Sequence, residues 1–409
     1  MRKMKSIVMM GLIISLNCWT VFSADKDINK NIVCKAELES VEILPFEPLY
    51  IAVSLVNQTD VVQKVTMSMV CGSQFSSDGK KWEYYYPMGM VMYAPPAPKL
   101  IEFKPKEIET YCFSYDYNQY DGKHIFNQPG TYYVKASIGR YQSPQVTVKV
   151  KEPTGEDVKA YEYLKEAEKN KILLAGYFTD KKGILPGLFT GKVDLSRIDT
   201  GWAEILTGLE KLSKDFSTSI YSEYARLGIG LMWLNGVDKK VDLDKSSEIF
   251  TKLSEDSKTP IKVRAKYYLG RCVDKREAWR EIQRNPKWKP ELDEDSVWDT
   301  KERSEEAVKH YQESLKMSPD PYFKCLINDL LKDETKKREQ IKRTKELLSL
   351  KEALITSRDF LETEKAATRL IELVGKENAL LILDVLIKME AKDDTVKELL
   401  KAVKAKLEK

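Results

Sequence analysis

Two hydrophobic rhythms divide the chain. From about Asn31 to Lys151, apolar residues recur at every second position, the period of a half-buried strand. Leu49, Ile51, Val53 and Leu55 alternate with Tyr50, Ala52, Ser54 and Val56, and Val65, Met67, Met69 and Cys71 share the next face. Tyr111, Phe113, Tyr115 and Tyr117 make an aromatic face. Tyr132, Val134, Ala136 and Ile138, then Val146, Val148 and Val150, point inward. Asp78-Gly79 and Pro129-Gly130 separate these runs with residues that accept the dihedral angles of tight turns. Short strands with turns between them predict an antiparallel β-sandwich over residues 31–152.

After "EPTGED" the period lengthens to that of a helix. Asp157 to Lys169 reads as a helix, and Gly183, Pro186, Gly187 and Gly191 mark an irregular connector, together covering 156–200. "IYSEYARLGIGLMWLNG" predicts a helix that Gly236 ends, and "DLDKSSEIFTKLSED" a second one capped by Asp242 or Asp244. "PIKVRAKYYLGRCV" starts a third, with Pro260 accommodated in its first turn. "EEAVKHYQESLKMSPD" sets Ala307, Tyr311, Ser314 and Pro319 at spacings that give a small, an aromatic and a small residue on one face before proline stops the helix.

Beyond Pro321 the chain holds no proline and only Gly375 as a breaker, so residues 331–409 predict a charged linker helix and a C-terminal helical bundle. Lys332 to Glu346 has Ile341 as its only aliphatic residue and predicts a solvated helix. Ala366, Leu370, Leu373 and Val374 form one stripe, Ala379 to Met389 a buried helix, and Val396, Leu399, Leu400, Val403 and Leu407 a last stripe. Asp394 or Thr395 is the expected cap of that last helix.

Two resemblances follow from these motifs. "ILPFEPLYIAVSLVN", "SSDGKKWEYY", "KPKEIETYCFSYDY" and "NQPGTYYVKA" resemble an immunoglobulin-like module of exported bacterial proteins, without the Cys…Trp…Cys spacing of antibody domains. On simple alternation Cys34 and Cys71 face inward and Cys112 outward, so a disulfide within this region, if one forms, would join Cys34 to Cys71. Residues 201–330 resemble divergent tetratricopeptide repeats. Leu227-Gly228 and Leu269-Gly270 fit the first helix of a repeat; Ser246 with Phe250, and Ala307 with Tyr311, fit the second. The Leu-Gly pairs stand further apart than the roughly 34-residue ideal, and "NPKWKPELDEDSVWD" is an insertion.

Composition narrows the function. The 67 basic and 63 acidic residues nearly cancel to +4, which gives no one-sided field and no reason to expect a nucleic-acid partner. "MRKMK", the apolar run Ile7–Leu16 and the small residue Ser23 read as a secretory signal peptide over 1–23. That predicts a periplasmic or secreted protein with no membrane span after cleavage. Cys18 lacks a lipobox context, so a lipid anchor is not expected. Cleavage would leave Cys34, Cys71, Cys112, Cys272 and Cys325, an odd set without C-x-x-C spacing.

Candidate chemistry is sparse. His124 and His310 are the only histidines, both read as surface residues, and no nucleotide-loop, zinc-protease or nucleophile-elbow motif occurs. No catalytic, cofactor or metal residue is therefore assigned, and a non-enzymatic protein is expected. The repeat resemblance implies a groove for a protein segment from another envelope or secreted protein, with Tyr224, Arg264, Tyr267 and Arg271 as the residues to test. The alternative is a glycan or other small ligand, even an enzymatic site, on the sandwich. "WEYYYPMGMVMYAPPAPK" supplies Trp82, Tyr85 and Tyr93 for it, although Trp82, Tyr84 and Tyr86 more simply face the core. Trp279, Trp288 and Trp298 flank the insertion and form a second aromatic candidate.

Overall fold

The computed structural model describes residues 29–38, 40–67, 71–85, 99–115, 117–118, 123–168, 202–235, 241–284, 301–317, 320–390 and 393–408. The signal segment, the 169–201 connector, Pro319 and the insertion carrying Trp288 and Trp298 lie outside these residues. A β-rich region of about residues 30–150 precedes a region of about ten helices.

The strands are β1 (Ile32–Leu38), β2 (Glu42–Ile43), β3 (Leu49–Asn57), β4 (Gln63–Met67), β5 (Cys71–Ser76), β6 (Glu83–Tyr85), β7 (Lys99–Phe103), β8 (Ile108–Tyr115), β9 (Tyr117–Asn118), β10 (Lys123–His124), β11 (Gly130–Ile138), β12 (Tyr141–Gln142) and β13 (Val146–Val150). One sheet runs β1-β3-β8. A larger one runs β2-β13-β11-β5-β6 with β12 beside β11, and β4-β7 and β9-β10 form separate pairs. The β2–β13 pairing is parallel, so the expectation of a wholly antiparallel arrangement is corrected there.

Both larger sheets contribute to one apolar core, which holds Ile51, Val53 and Leu55 from β3, Phe75 from β5, Tyr115 from β8, Val134 and Ala136 from β11, and Val148 from β13. The period-two reading therefore places this face correctly. It misses the other face of β3, where Tyr50 and Ala52 are also buried. In the turn after β5, Asp78 Oδ1 accepts from the Lys80 and Lys81 amides while Gly79 takes φ +71°, a left-handed value that costs glycine little.

The helices are α1 (Glu156–Glu168), α2 (Trp202–Asp215), α3 (Ile220–Asn235), α4 (Leu243–Asp256), α5 (Thr259–Arg284), α6 (Glu305–Lys316), α7 (Pro321–Thr356), α8 (Phe360–Val374), α9 (Lys376–Val385, continued by a π turn Leu386–Glu390) and α10 (Asp394–Glu408). Asp242 caps α4 by accepting from the Lys245 amide, and Ser304 caps α6 by accepting from Ala307. The α10 cap is Asp393, one residue before the expected pair, and accepts from Thr395.

Helices α2 to α6 pack in sequence, each against the next, and α3 also touches α5. Glycine sets how closely they approach. A Cβ built on Gly230 of α3 would lie 2.6 Å from Phe250 of α4, and one on Gly270 of α5 would lie 2.6 Å from Tyr311 of α6. Ser246 and Ala307, one turn before those rings, are fully buried. Gly230, two residues and half a helical turn beyond Gly228, is thus a close-packing glycine that the sequence register did not name.

Two compact units result. The first holds the strands, α1–α6 and the start of α7, and the second holds residues 295–303 and 330–409. In the second, Leu354, Ala366, Leu370, Ala379, Leu383, Val396, Leu400 and Val403 form a separate core. Arg303 and Glu334 make a buried ion pair at 3.5 Å, with Arg338 Nε 3.0 Å from the same carboxylate.

Candidate functional site

Within the first unit Tyr224 and Arg264, expected to line an open groove, are covered by residues of the β-region, and Tyr267 is buried among rings of the helices themselves. Residues 45–50, the link from β2 into β3, lie against α3, α5 and the start of α7. The Tyr221 hydroxyl donates to the Pro45 carbonyl at 2.8 Å. The Tyr50 ring lies 4.8 Å from Tyr322 and 5.7 Å from Phe323. Arg264 is 1% exposed, stacks 4.1 Å from the Tyr50 ring centroid and donates to the Tyr224 hydroxyl at 3.2 Å. Tyr267 is buried between Tyr311 at 5.5 Å and Phe323 at 5.6 Å. Arg271, one turn further along α5, is half-buried.

The chain accepts backbone strain to make this contact. Phe46 takes φ +65°, a left-handed conformation that costs a non-glycine residue about 1 kcal/mol or more. In return its amide donates to the Phe126 carbonyl at 2.8 Å, and its ring meets His124 at 5.0 Å and Tyr161 at 5.7 Å. His124, expected at the surface, is 5% exposed for this reason. The Glu47 carboxylate accepts from the Leu44 amide; burial pushes its pKa up, and the Tyr224 hydroxyl and Arg264 charge draw it only partly back.

A disulfide joins Cys112 of β8 to Cys325 of α7, whose Cα atoms are 6.6 Å apart. The expected Cys34–Cys71 pairing is corrected: Cys34 is a buried free thiol, pushed up to about 12 by desolvation. The outward direction read for Cys112 is what makes the long-range bridge possible, because that face of β8 and β3 is the one the helices cover.

The aromatic candidates of the β-region divide. Trp82 is half-buried with the Lys135 ammonium 4.1 Å above its ring, and Tyr84 is 58% exposed opposite Gln74 of β5. Tyr84 therefore points to solvent and not, as alternation suggested, into the core. Tyr85 is placed as a strand residue only, and Tyr86 and Tyr93 lie outside the described residues.

One feature was not assembled by sequence reasoning. Trp233, Val241, Asp242, Leu243, Asp244, Arg276 and Trp279 line an open depression of about 550 Å³. It sits where α3 ends, α4 begins and the second half of α5 passes. Arg276 is fixed by Asp244 at 2.9 Å and approaches the Ser247 hydroxyl at 3.5 Å, and the Lys245 ammonium covers one side of Trp233 at 4.0 Å. Trp279 was the only signal of it in the sequence. Among the described residues no cluster of histidine, cysteine and carboxylate groups could hold a metal ion, and no helix is long and apolar enough to cross a membrane.

No protein-family model matches the chain, and no curated protein matches it. A β-glucosidase from Listeria innocua, solved in complex with isofagomine, aligns at 15% identity over 29% of this chain and 16% of that one, with a TM-score of 0.18. A β-glucosidase from Erythrobacter marinus aligns at 14% identity over 29% and 16%, with a TM-score of 0.18. The sporulation control protein Spo0M of Bacillus subtilis aligns at 11% identity over 33% and 55%, with a TM-score of 0.19. The chain spans less than two thirds of each of these proteins, and likenesses at such TM-scores carry no argument.

Proposed function

We propose that the chain is a non-enzymatic binding or scaffold protein of the cell envelope, built from an immunoglobulin-like sandwich and divergent tetratricopeptide-like repeats. The observation that carries this reading is the repeated close approach of glycine and aromatic ring, Gly230 to Phe250 and Gly270 to Tyr311, each with a small buried residue one turn earlier. Helix pairs packed this way form stiff arrays whose surfaces take polypeptide segments. Tyr224 and Arg264 already meet residues 45–50 of the same chain, and Tyr267 is buried beside Tyr311 and Phe323, so an external partner would use the remaining exposed helical surface. Export is supported by the signal-like leader and by the Cys112–Cys325 bridge, a bond that persists in oxidising compartments.

A second reading, a glycan or ligand site on the β-region, is favoured by the outward Trp82 and Tyr84. Photo-reactive residues placed separately at Lys252 of α4 and at Trp82 in the full-length chain, irradiated in its native envelope, discriminate the two. The scaffold reading expects one defined protein adduct from position 252 and none from position 82. An adduct with glycan from position 82, with nothing from 252, overturns it.

A further inference from the structure

We infer that the depression between α3, α4 and α5 is a binding site for a neutral saccharide. Its walls combine what a pyranose ring requires: apolar aromatic surface for the C–H faces of the sugar, and fixed polar groups at the rim for its hydroxyls. The aromatic surface comes from Trp233 and Trp279, the rim from Asp244 and Arg276. At about 550 Å³ the space lies within the usual range for small-ligand sites.

Two features select the ligand class. Among the described residues Asp242 and Asp244 line the depression with Arg276, and Lys245 stands nearby, so the described charges are matched in sign and favour neither a strongly anionic nor a strongly cationic ligand. The Trp233 ring already has one cation against it in Lys245, which leaves less of its surface for a cationic guest. Arg276 is already oriented by Asp244 and near Ser247, so a hydroxyl that accepts from it meets a donor held in place beforehand. Asp244, whose side chain is 94% exposed, keeps acceptor capacity for a sugar hydroxyl. The depression is separate from the covered surface at Tyr224 and Arg264, and this inference does not rest on the scaffold reading.

The test is a titration of the full chain with neutral gluco-, xylo- and manno-oligosaccharides, followed by calorimetry and by tryptophan fluorescence. At least one of them binds and shifts the indole emission. Trp279→Ala and Arg276→Ala each weaken that binding about tenfold or more, whereas Lys309→Ala on α6 leaves it unchanged. Trp279→Phe, which keeps an aromatic wall, retains most of the affinity and guards against a folding defect, as does an unchanged melting curve for Arg276→Ala. Absence of binding by every sugar overturns the inference. So does binding that survives both Trp279→Ala and Arg276→Ala, binding lost instead on Trp82→Ala, or a lysine-rich peptide held more tightly than any sugar.

Discussion

Replacing Gly270 by alanine should destabilise the first unit by about 1.5–5 kcal/mol, although alanine is the better helix former. A Cβ at this position falls 2.6, 2.8 and 2.9 Å from three atoms of the Tyr311 ring, where ordinary contact begins at 3.4 Å. The ring must retreat by about 0.8 Å in an interior packed as densely as a crystal. It has nowhere to go. Tyr311 is fully buried, its ring faces Tyr267 at 5.5 Å, and its hydroxyl donates to Asp274 Oδ2 at 2.6 Å. Overpacking of this kind costs about 1–3 kcal/mol, and disturbing a buried hydrogen bond to a carboxylate adds about 1.5–3. The gain in helix propensity returns about 1. Urea denaturation followed by circular dichroism measures the balance. In a Tyr311→Leu background, which removes the ring Cβ would strike, the cost of Gly270→Ala should fall below about 1 kcal/mol. A neutral or stabilising Gly270→Ala in the wild-type background would refute the close-packing argument and, with it, the repeat-like reading of these helices.

Two further outcomes follow from the covered face. Removing the disulfide as Cys112→Ser/Cys325→Ser should lower stability by up to about 5 kcal/mol on loop-closure grounds, since the bridge closes 213 residues; alkylation of the native wild-type protein should label neither Cys34 nor Cys272, both buried, and labelling of Cys112 or Cys325 without reductant would show that the bridge is absent. For Glu47, burial holds the folded pKa above the unfolded value, so its contribution is most favourable at low pH and is lost as pH rises through the folded pKa. Glu47→Gln should therefore gain stability relative to wild type between acidic and neutral pH, and a difference constant across that window would contradict an enclosed carboxylate.

How far the sequence reached depends on the range of the interaction. Strand and helix periods are local, and they located the core face of β3, the turn at Asp78-Gly79, the Asp242 cap and the largely solvated stretch of α7, within which Glu334 is buried against Arg303. In the first helix pair the contact of Gly230 with the Phe250 ring lies half a turn from Leu227-Gly228, a meeting across two helices that spacing along one helix does not reveal. Alternation cannot say whether the second face of a strand meets water or another element, so Tyr50 and Ala52 were read as outward. The same blindness affected the proposed groove residues. Tyr224 and Arg264 have a binding surface's composition because they do meet a polypeptide, namely residues 45–50 of their own chain, while Tyr267 is buried in the helical core beside Tyr311 and Phe323. The depression at Trp233 and Trp279 was signalled by Trp279 alone, because its walls come from three helices.

By itself the sequence determined the β-then-α order and local features such as the Asp242 cap, since each follows from side chains within a few residues of one another. Tertiary structure alone decided which thiols meet, that Glu47 is enclosed and that the helical face is already occupied. Those outcomes turn on long-range packing, where residues distant along the chain compete for the same buried surface and the winning contact leaves no periodic trace.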